Sequence, residues 1–387
     1  MLTALLIAIA FISSFSAIVL LRPVAIKFGL VDKPTTRKAH TGNIPLIGGI
    51  SVYIGLLIAC VLVLIFSPVH AEQLMTYLLA SLLMVITGAL DDRYDLSVRV
   101  RITVQTVVAS IMMFVAGDAI FSLGNLFALG ELPLWYFAYP FTVIAVLGAI
   151  NAYNMVDGID GLIGGVSIST FITLAILFFL SDDLNEALFC VLCVAVLMPY
   201  LIYNLQLFSF CNKKIFMGDA GSMFIGLTIV WLLAIGSQPH STDETTSFSP
   251  VVALWVIALP LMDMAAIMMR RMKKGFSPFK PDRDHLHHIF MRAGFSSRET
   301  LIIITLLSLM LSSIGVLTTV YAVPDLIQLI AFIALFLVFK KSLTHVWVLV
   351  SIYRKGKAYK RLAVRKSQDR SRVRLHKKKE KSDRAGR

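Results

Sequence analysis

LTALLIAIAFISSFSAIVLL, residues 2–21, is an apolar run without a single charged side chain, and runs of this kind decide the fold. A helix needs about 20 apolar residues to cross the hydrocarbon core of a membrane. The run has no positively charged segment before it and no small-residue cleavage site, and it ends at Arg22-Pro23. We therefore interpret it as a membrane span and not as a cleaved signal peptide.

Similar runs recur along the whole chain, in which 57% of the residues are hydrophobic and only 15% are charged. A soluble domain carries about 25% charged residues. We predict an all-α polytopic membrane protein with about eleven transmembrane helices, the fourth being short for a span. The predicted spans are residues 2–21, 46–66, 73–90, 102–116, 134–150, 161–180, 186–205, 221–237, 250–269, 300–319 and 324–340.

The basic residues predict the orientation. All 36 Lys and Arg lie after the first, third, seventh, ninth and eleventh runs, and the loops on the other side carry none. Because Lys and Arg stay on the cytoplasmic side, we expect a periplasmic N-terminus and a cytoplasmic C-terminus.

The net charge of +13 resides in the end of the chain, where residues 340–387 hold 18 basic and 3 acidic side chains. We therefore expect no nucleic-acid partner. We predict a helical membrane domain over residues 1–340 and a basic, partly disordered cytoplasmic tail over 341–387, which either only fixes the topology or binds anionic lipid. Cys190 and Cys193 lie within an apolar run, so we expect buried thiols and neither a redox pair nor a disulfide.

Carboxylates and amides gather at the predicted inner ends of two spans. Asp91 and Asp92 follow the third run, where adjacent carboxylates near a low dielectric favour a cation or a proton-bearing ligand. The alternative is a solvated helix end with Arg93 as counter-ion. A second group recurs at every third position, which on a helix would give one polar stripe. Its members are Asn151, Asn154, Asp157 and Asp160, and the glycines at 158 and 161 would allow a break or the close approach of a ligand.

Two further segments combine groups that suit phosphate. In FMGDAGS, residues 216–222, glycines flank Asp219 at a predicted helix start, which suits phosphate and Mg²⁺ but equally an N-capping Asp. The loop 270–299 holds Arg271 and the HLHH sequence of residues 285–288, which suits a diphosphate, a metal ion or an ordinary positive surface. Asp263, within the ninth run, is either functional or a partner in a helix–helix hydrogen bond.

Taken in order, five segments resemble the polyprenyl-phosphate N-acetylhexosamine-1-phosphate transferases. They are GLVDKPTTRKAHTGNIPLIGG, GALDDRYD, INAYNMVDGIDGL, FMGDAGS and SPFKPDRDHLHHIFMRAGF, between about residues 29 and 299. The HLHH sequence is similar to the UDP-GlcNAc branch, since the muramoyl-pentapeptide branch usually has three consecutive histidines. The resemblance implies transfer of GlcNAc-1-phosphate from UDP-GlcNAc to undecaprenyl phosphate at the cytoplasmic side of a bacterial inner membrane. It further implies that UMP leaves and that the product enters O-antigen or enterobacterial common antigen.

The resemblance also implies roles for individual residues. Asp219 would bind Mg²⁺ or Mn²⁺ with help from Asn154. Asp91 and Asp92 would act on the polyprenyl phosphate as a base or as positioning groups. The nucleotide-sugar would contact Asp157, Asp160, Phe216 as the uracil-stacking ring, Arg271, His285, His287 and His288. The muramoyl branch has a uracil-binding Lys before its Pro-x-x-Gly-Gly segment; here Lys38 and His40 are the nearest candidates, and neither is assigned that role.

Three alternatives stay open at this point. One is the muramoyl-pentapeptide branch, a second is a prenyltransferase using Asp91-Asp92-x-x-Asp95, and a third is an ion-coupled transporter with buried Asp in its ion path. Membrane lipids are expected partners of any such protein. The sequence leaves a homodimer open.

Overall fold

The computed structural model describes residues 2–33, 42–66, 71–211, 213–239, 246–278 and 285–343. Thirteen helices dominate these residues: α1 Leu2–Phe28, α2 Gly48–Phe66, α3 Ala71–Tyr94, α4 Val98–Phe114, α5 Ala138–Val156, α6 Leu162–Leu180, α7 Leu184–Asn204, α8 Gly218–Ser237, α9 Pro250–Val256, α10 Ala258–Lys273, α11 Leu286–Ala293, α12 Ser297–Val320 and α13 Asp325–Leu343. Two short antiparallel strands, β1 Val31–Asp32 and β2 Ile44–Pro45, and two 3-10 turns, Trp135–Phe137 and Ser209–Cys211, complete the described elements.

A helix lies at each of the eleven predicted runs, which confirms an all-α polytopic membrane protein. Within the described ranges, nine helices are long and apolar enough to cross a membrane, or up to ten if α9 and α10, bent by 81° at their junction, form one span. Helix α4 is outside this number because it has only 17 residues and begins with Arg99 and Arg101 in its first turns. The count of eleven and the side on which each terminus lies stay predictions.

Helix α8 lies at the centre of the bundle, packed against α2, α3 and α5. Glycines allow backbones to meet there, because a β-carbon on Gly49 would collide with the backbone of Gly221, and one on Gly88 with the backbone of Ala220. Small residues at helix crossings are the usual means of close approach in membranes. These contacts bring the end of α3 and the starts of α2 and α8 to one end of the bundle.

A hairpin packs against the opposite end of α8. The chain reverses between Gly124 and Gly130, and the N–H of Gly130 donates to the Asn125 side chain at 2.9 Å. Its arms pair at Ser122 and Pro133. The side chain of Gln238, just after α8, accepts the N–H of Ser122 at 2.9 Å and so fastens the hairpin to the end of α8.

Other predictions concern the cysteines and the tail. All four cysteines are buried with free thiols, which confirms the predicted burial of Cys190 and Cys193. Helix α13 continues to Leu343, so the predicted tail begins in a helix. Residues 344–387, together with Lys38, His40, Lys280 and Arg283, lie outside the described residues.

Candidate active site

The candidate site lies where the last turn of α3, the end of α5 and the first turn of α8 come together. A short extended segment positions the start of α8. The N–H of Phe216 donates to the carbonyl of Pro45, and the N–H of Gly48 donates back to the carbonyl of Phe216, both at 2.9 Å. Gly218 then begins the helix with a φ of +74°, a conformation that glycine adopts without strain. Asp219 is thereby fixed in the first turn of α8, as the sequence predicts.

Asp92 caps this helix start from α3. Its Oδ1 accepts the N–H of Asp219 at 2.9 Å, and its Oδ2 accepts the N–H of Ala220 at 3.3 Å. A β-carbon on Gly218 would collide with the Asp92 carboxylate, so glycine is also required there for space. Of the two readings of this segment, the one in which free N–H groups cradle phosphate does not hold for these two N–H groups. The Asp92 carboxylate already satisfies them.

Asp91 is buried, adjoins the Asp219 side chain, and is also bound from the side of α4. Its Oδ1 accepts the N–H of Leu96 at 2.8 Å, and its Oδ2 pairs with Arg101 at 2.9 Å. Arg93, the counter-ion in the alternative reading of this segment, lies over the ring of Tyr94. Asp91 therefore ties α4 to α3 beside the site.

Asn154 connects α5 to Asp219. Its Nδ2 donates to Asp219 Oδ1 at 2.8 Å and to Ser222 Oγ at 3.1 Å. Asn151, one turn earlier, donates instead to Gln105 of α4 at 3.0 Å. The two amides thus hold α5 against α8 and α4.

The predicted stripe on one continuous helix is wrong beyond Asn154. Helix α5 ends at Val156, and Asp157 and Asp160 lie in the turn that leads into α6. Gly161 has a φ of +75°, and its N–H donates to the side chain of Asn204 at 2.6 Å. The helix therefore breaks between Val156 and Leu162, which is one of the two readings of the glycines. Both carboxylates lie in this break, at the site end of the bundle.

A cation that the sequence analysis did not single out joins this turn to the segment before α8. Lys214 Nζ pairs with Asp160 Oδ2 at 2.6 Å and lies 5.1 Å from the centre of the Phe216 ring. The same Asn204 that holds the turn donates to the carbonyl of Ile215 at 2.8 Å. Lys214, Asp160 and Phe216 therefore form one local unit.

Asp263 of α10 holds the segment that carries the histidines, and His287 contacts the α5–α6 turn. Asp263 Oδ2 lies 3.1 Å from His285 Nδ1, and its Oδ1 accepts the N–H of Leu286 at 3.2 Å, which caps α11. The rings of His285 and His287 are nearly parallel with centres 5.9 Å apart, and the His288 ring is 4.2 Å from that of His287. His287 packs directly on Gly158, where a β-carbon would overlap its imidazole. Asp263 on α10 thus hydrogen-bonds to the start of α11, and a functional role for it stays a prediction.

The pKa values of His287 and of Asp157 at the site shift in opposite directions. Burial, with repulsion from His288 and His285, lowers the pKa of His287 to about 3, so His287 is a neutral donor and acceptor near pH 7. Desolvation, with repulsion from Asp219 and Asp160, raises the pKa of Asp157 to about 7. Asp157 is exposed, so water screens part of this repulsion. The carboxylates crowd one another, which favours a bound cation.

Arg271 is buried near the end of α10 and donates from Nη1 to the carbonyl of Pro278 at 2.6 Å. The N–H of Phe276 donates back to the carbonyl of Arg271 at 3.0 Å. These bonds fold the loop after α10 against the helix. Contact between Arg271 and a nucleotide-sugar stays a prediction.

Known proteins with the same sequence features settle the family. Residues 74–237, which run from α3 to the end of α8, match the family model of Glycosyl transferase family 4. Undecaprenyl-phosphate alpha-N-acetylglucosaminyl 1-phosphate transferase of Salmonella typhi is 44% identical over 332 residues, which cover 85% of this chain and 88% of that protein. The chain belongs to this transferase family. The proteins of the same name from Escherichia coli strain K12, 43% identical over 84% of this chain and 87% of that protein, and from Haemophilus influenzae, 39% identical over 88% and 94%, agree.

The family assignment confirms the resemblance seen in the sequence. The matched stretch of this transferase contains Asp91, Asp92, Asn154, Asp157, Asp160, Phe216 and Asp219. Arg271 and the histidines lie beyond it, on α10 and around α11.

The donor set of this transferase suits a hard divalent cation. Asp219 offers carboxylate oxygen in the first turn of α8 beside the amide of Asn154, and oxygen donors are what Mg²⁺ prefers. In the parts of the chain that the structure describes, no three His, Cys, Asp or Glu side chains form a preformed metal cage. Mg²⁺ usually takes one or two carboxylates and completes its coordination with water and substrate phosphate.

Proposed function

We propose that this chain transfers GlcNAc-1-phosphate from UDP-GlcNAc to undecaprenyl phosphate, giving undecaprenyl-diphospho-GlcNAc and UMP. The observation that carries the proposal is the placement of Asp219 among Asp92, Asn154 and Asp157 in a chain whose relatives bear the name of that reaction. The proposed setting is the cytoplasmic face of a bacterial inner membrane, at the first membrane step of O-antigen or enterobacterial common antigen synthesis.

Asp219, assisted by Asn154, is the proposed holder of Mg²⁺, with Mn²⁺ as the alternative. When bound, the ion would neutralise charge on the diphosphate and align it. Asn154 orients the Asp219 carboxylate by donating from its Nδ2 to Oδ1. Desolvation and repulsion from Asp219 and Asp160 raise the pKa of Asp157, and a nearby cation would relieve the repulsion, which supports the proposal.

The nucleotide-sugar would lie between the α5–α6 turn and the histidines. Phe216 would stack on uracil, with Asp157 and Asp160 at the nucleotide. His285, His287, His288 and Arg271 would hold the diphosphate and sugar. Since His287 is neutral, it would act as a hydrogen-bond donor or acceptor and not as a charge. Asp263 would keep the His285 ring in place.

The proposed chemistry is a single displacement at phosphorus. An oxygen of undecaprenyl phosphate forms a bond to the β-phosphorus of UDP-GlcNAc, the bond from that phosphorus to the bridging oxygen breaks, and UMP leaves with the electron pair. A phosphate monoester has a second pKa near 6, so the attacking group is already largely a dianion and needs no strong base. Charge repulsion between phosphates is the main obstacle, and the site must counter it.

Asp91 and Asp92 fit positioning roles better than a role as a phosphorylated nucleophile. Both oxygens of Asp92 accept N–H groups of α8, and Asp91 is bound to Arg101 and to the N–H of Leu96. A two-step route through an aspartyl phosphate would break these bonds. The contacts therefore favour the one-step route, in which the two residues fix the frame around the acceptor phosphate.

The polar groups lie at helix ends and in connecting turns, which counts against an ion-coupled transporter. Transporter sites usually lie near the bilayer midplane, where interrupted helices bind the ion. The names of the relatives favour UDP-GlcNAc over the muramoyl-pentapeptide donor.

The test uses purified protein in detergent with undecaprenyl phosphate, Mg²⁺ and radiolabelled UDP-GlcNAc, in parallel with labelled UDP-MurNAc-pentapeptide. We expect label to enter the lipid only from UDP-GlcNAc, with one UMP released per transfer. Asp219→Asn keeps the shape of the side chain and its bond to Asn154, and it should lower the rate by about a hundredfold or more.

A matched control is Asp182→Asn, at the turn after α6 on the opposite end of the bundle. Asp182 has a φ of +63°, which Asn tolerates, so this variant should transfer at the parental rate. Transfer from the pentapeptide donor alone would move the chain to the muramoyl branch. No transfer from either donor would overturn the proposed function.

A further inference from the structure

Lys214 stands at the nucleotide end of the site with two defined neighbours. Its Nζ pairs with Asp160 Oδ2 at 2.6 Å, and it lies over one face of the Phe216 ring, 5.1 Å from the centre. The proposed function uses the ring and the carboxylate but gives the lysine no role.

Hydrogen bonds to the neighbouring backbone fix the segments that carry these three side chains. Asn204 accepts the N–H of Gly161, directly after Asp160, and donates to the carbonyl of Ile215, directly after Lys214. Phe216 is anchored by the N–H that it donates to Pro45. The ion pair therefore has a fixed place beside the ring.

A ligand can still reach the pair, because the Lys214 and Asp160 side chains are 21% and 39% exposed. Rings stack with an offset, so a base on this face of Phe216 would present its edge to the ammonium. The pair is neutral as a unit, which suits an uncharged ligand edge. A hydrogen bond to a charged group is about twice as strong as one between neutral groups.

The pair offers one donor and one acceptor side by side. The ammonium only donates, and the carboxylate only accepts. The edge of uracil carries a carbonyl oxygen next to an N3–H, which is the complementary order. Cytosine carries an amino group next to an unprotonated N3, which is the reverse order.

We propose that Lys214 and Asp160 together read the uracil edge, with Lys214 donating to a uracil carbonyl oxygen and Asp160 accepting from N3–H. Lys214 is then a specificity-determining residue that rejects cytidine nucleotides, because these would place donor against donor and acceptor against acceptor. The inference rests on the proposed function for the identity of the donor nucleotide.

The experiment measures binding of UMP and CMP to the purified full-length protein by calorimetry in the presence of Mg²⁺, which needs no turnover. It also measures KM and kcat for UDP-GlcNAc. The variants are Lys214→Met, which keeps the length of the stem, and Lys214→Arg, which keeps the donor. Lys213→Met is the matched control, since Lys213 is the exposed neighbour of Lys214 in sequence.

We expect Lys214→Met to weaken UMP binding about tenfold or more, to change CMP binding little, and to raise KM far more than it lowers kcat. Lys214→Arg should keep most of the preference for UMP, and Lys213→Met should match the parent. Asp160→Asn should also reduce the preference. The double variant should lose little beyond Lys214→Met alone, because the two groups act as one unit.

Equal weakening of UMP and CMP in Lys214→Met would overturn the inference and place the lysine on the phosphate. An unchanged UMP-to-CMP ratio in both Lys214→Met and Lys214→Arg would overturn it as well. Should Lys214→Met not fold, Lys214→Arg and Asp160→Asn decide by the same ratio. Failure of the parent to transfer GlcNAc-1-phosphate while it prefers UMP would count against the proposed function and leave the inference standing.

Discussion

Asp92 on α3 holds the N–H of Asp219 on α8 at 2.9 Å, so one site carboxylate fixes the helix that presents another. The same carboxylate accepts the N–H of Ala220. A negative side chain at a helix N-terminus is favourable both as a cap and through the helix dipole. The Asp92 side chain therefore helps to hold the first turn of α8, and with it Asp219, in place.

Removal of this cap should cost stability as well as activity. We expect Asp92→Ala to lower the free energy of unfolding by about 1 kcal/mol, the typical cost of a lost N-cap, and to reduce transfer strongly. Asp92→Asn keeps an accepting oxygen and should lose less stability. Thermal unfolding in detergent and the radiolabel assay measure the two effects. Asp95→Asn, three residues away and exposed, is the control; a parental melting temperature in Asp92→Ala would contradict the capping role.

Gly158→Ala should separate activity from stability. The added methyl would overlap the His287 imidazole, and the histidine would have to leave its place against the α5–α6 turn. We expect a loss of activity of about tenfold or more from displaced binding groups, with a small change in melting temperature. Gly148→Ala on α5 is the matched control, because its methyl meets no atom within 4 Å. Parental kinetics in Gly158→Ala would show that His287 does not serve the reaction from this position.

Gly88→Ala should lower thermal stability as well as activity. Its methyl would meet the backbone of Ala220, which cannot rotate away, so α3 and α8 must separate. Overpacking of this kind typically costs about 1–3 kcal/mol. We expect lower thermal stability and lower activity together, whereas Gly148→Ala should be neutral or slightly stabilising. An unchanged melting temperature would mean that α3 and α8 are further apart than the structure has them.

The raised pKa of Asp157 predicts a pH dependence of stability. From its ordinary value near 3.8 to about 7, the folded protein keeps a proton that the unfolded chain releases, so this residue makes stability fall as pH rises through that window. Asp157→Asn cannot ionise, and it should flatten the fall. Melting curves of the ligand-free protein at pH 4.5 and pH 8 measure this, with the larger relative gain of the variant expected at pH 8. An equal gain at both values would exclude a raised pKa as its cause.

Much of the site could be predicted because polar residues in an apolar chain stand out. Asp219 was placed at a helix start by its glycines, and the structure has it in the first turn of α8. The uncharged runs located the helices for the same reason. Hydropathy could not distinguish a span from the short α4, nor foresee the 81° bend between α9 and α10, because both depend on packing.

The partners of the polar residues could not be predicted. Lys214 and Asp160 are 54 residues apart, and Asp92 meets a helix start 127 residues further along the chain. Spacing by three likewise suggested one helix for Asn154 and Asp157, whereas the break at Asp157 depends on Asn204 holding Gly161 from α7. Arg101 is one of the basic residues that predict the orientation, and nothing in its position predicts its ion pair with Asp91.

Helix α8 is almost completely buried within the bundle, so it has almost no face towards lipid. A helix that is enclosed in this way cannot leave the bundle, slide or refold by itself. Asp219 therefore leaves its position only when the whole helix bundle unfolds. Harsh detergents should inactivate the protein in a single step that coincides with loss of tertiary structure, and intermediates that are folded yet inactive through loss of α8 should not accumulate.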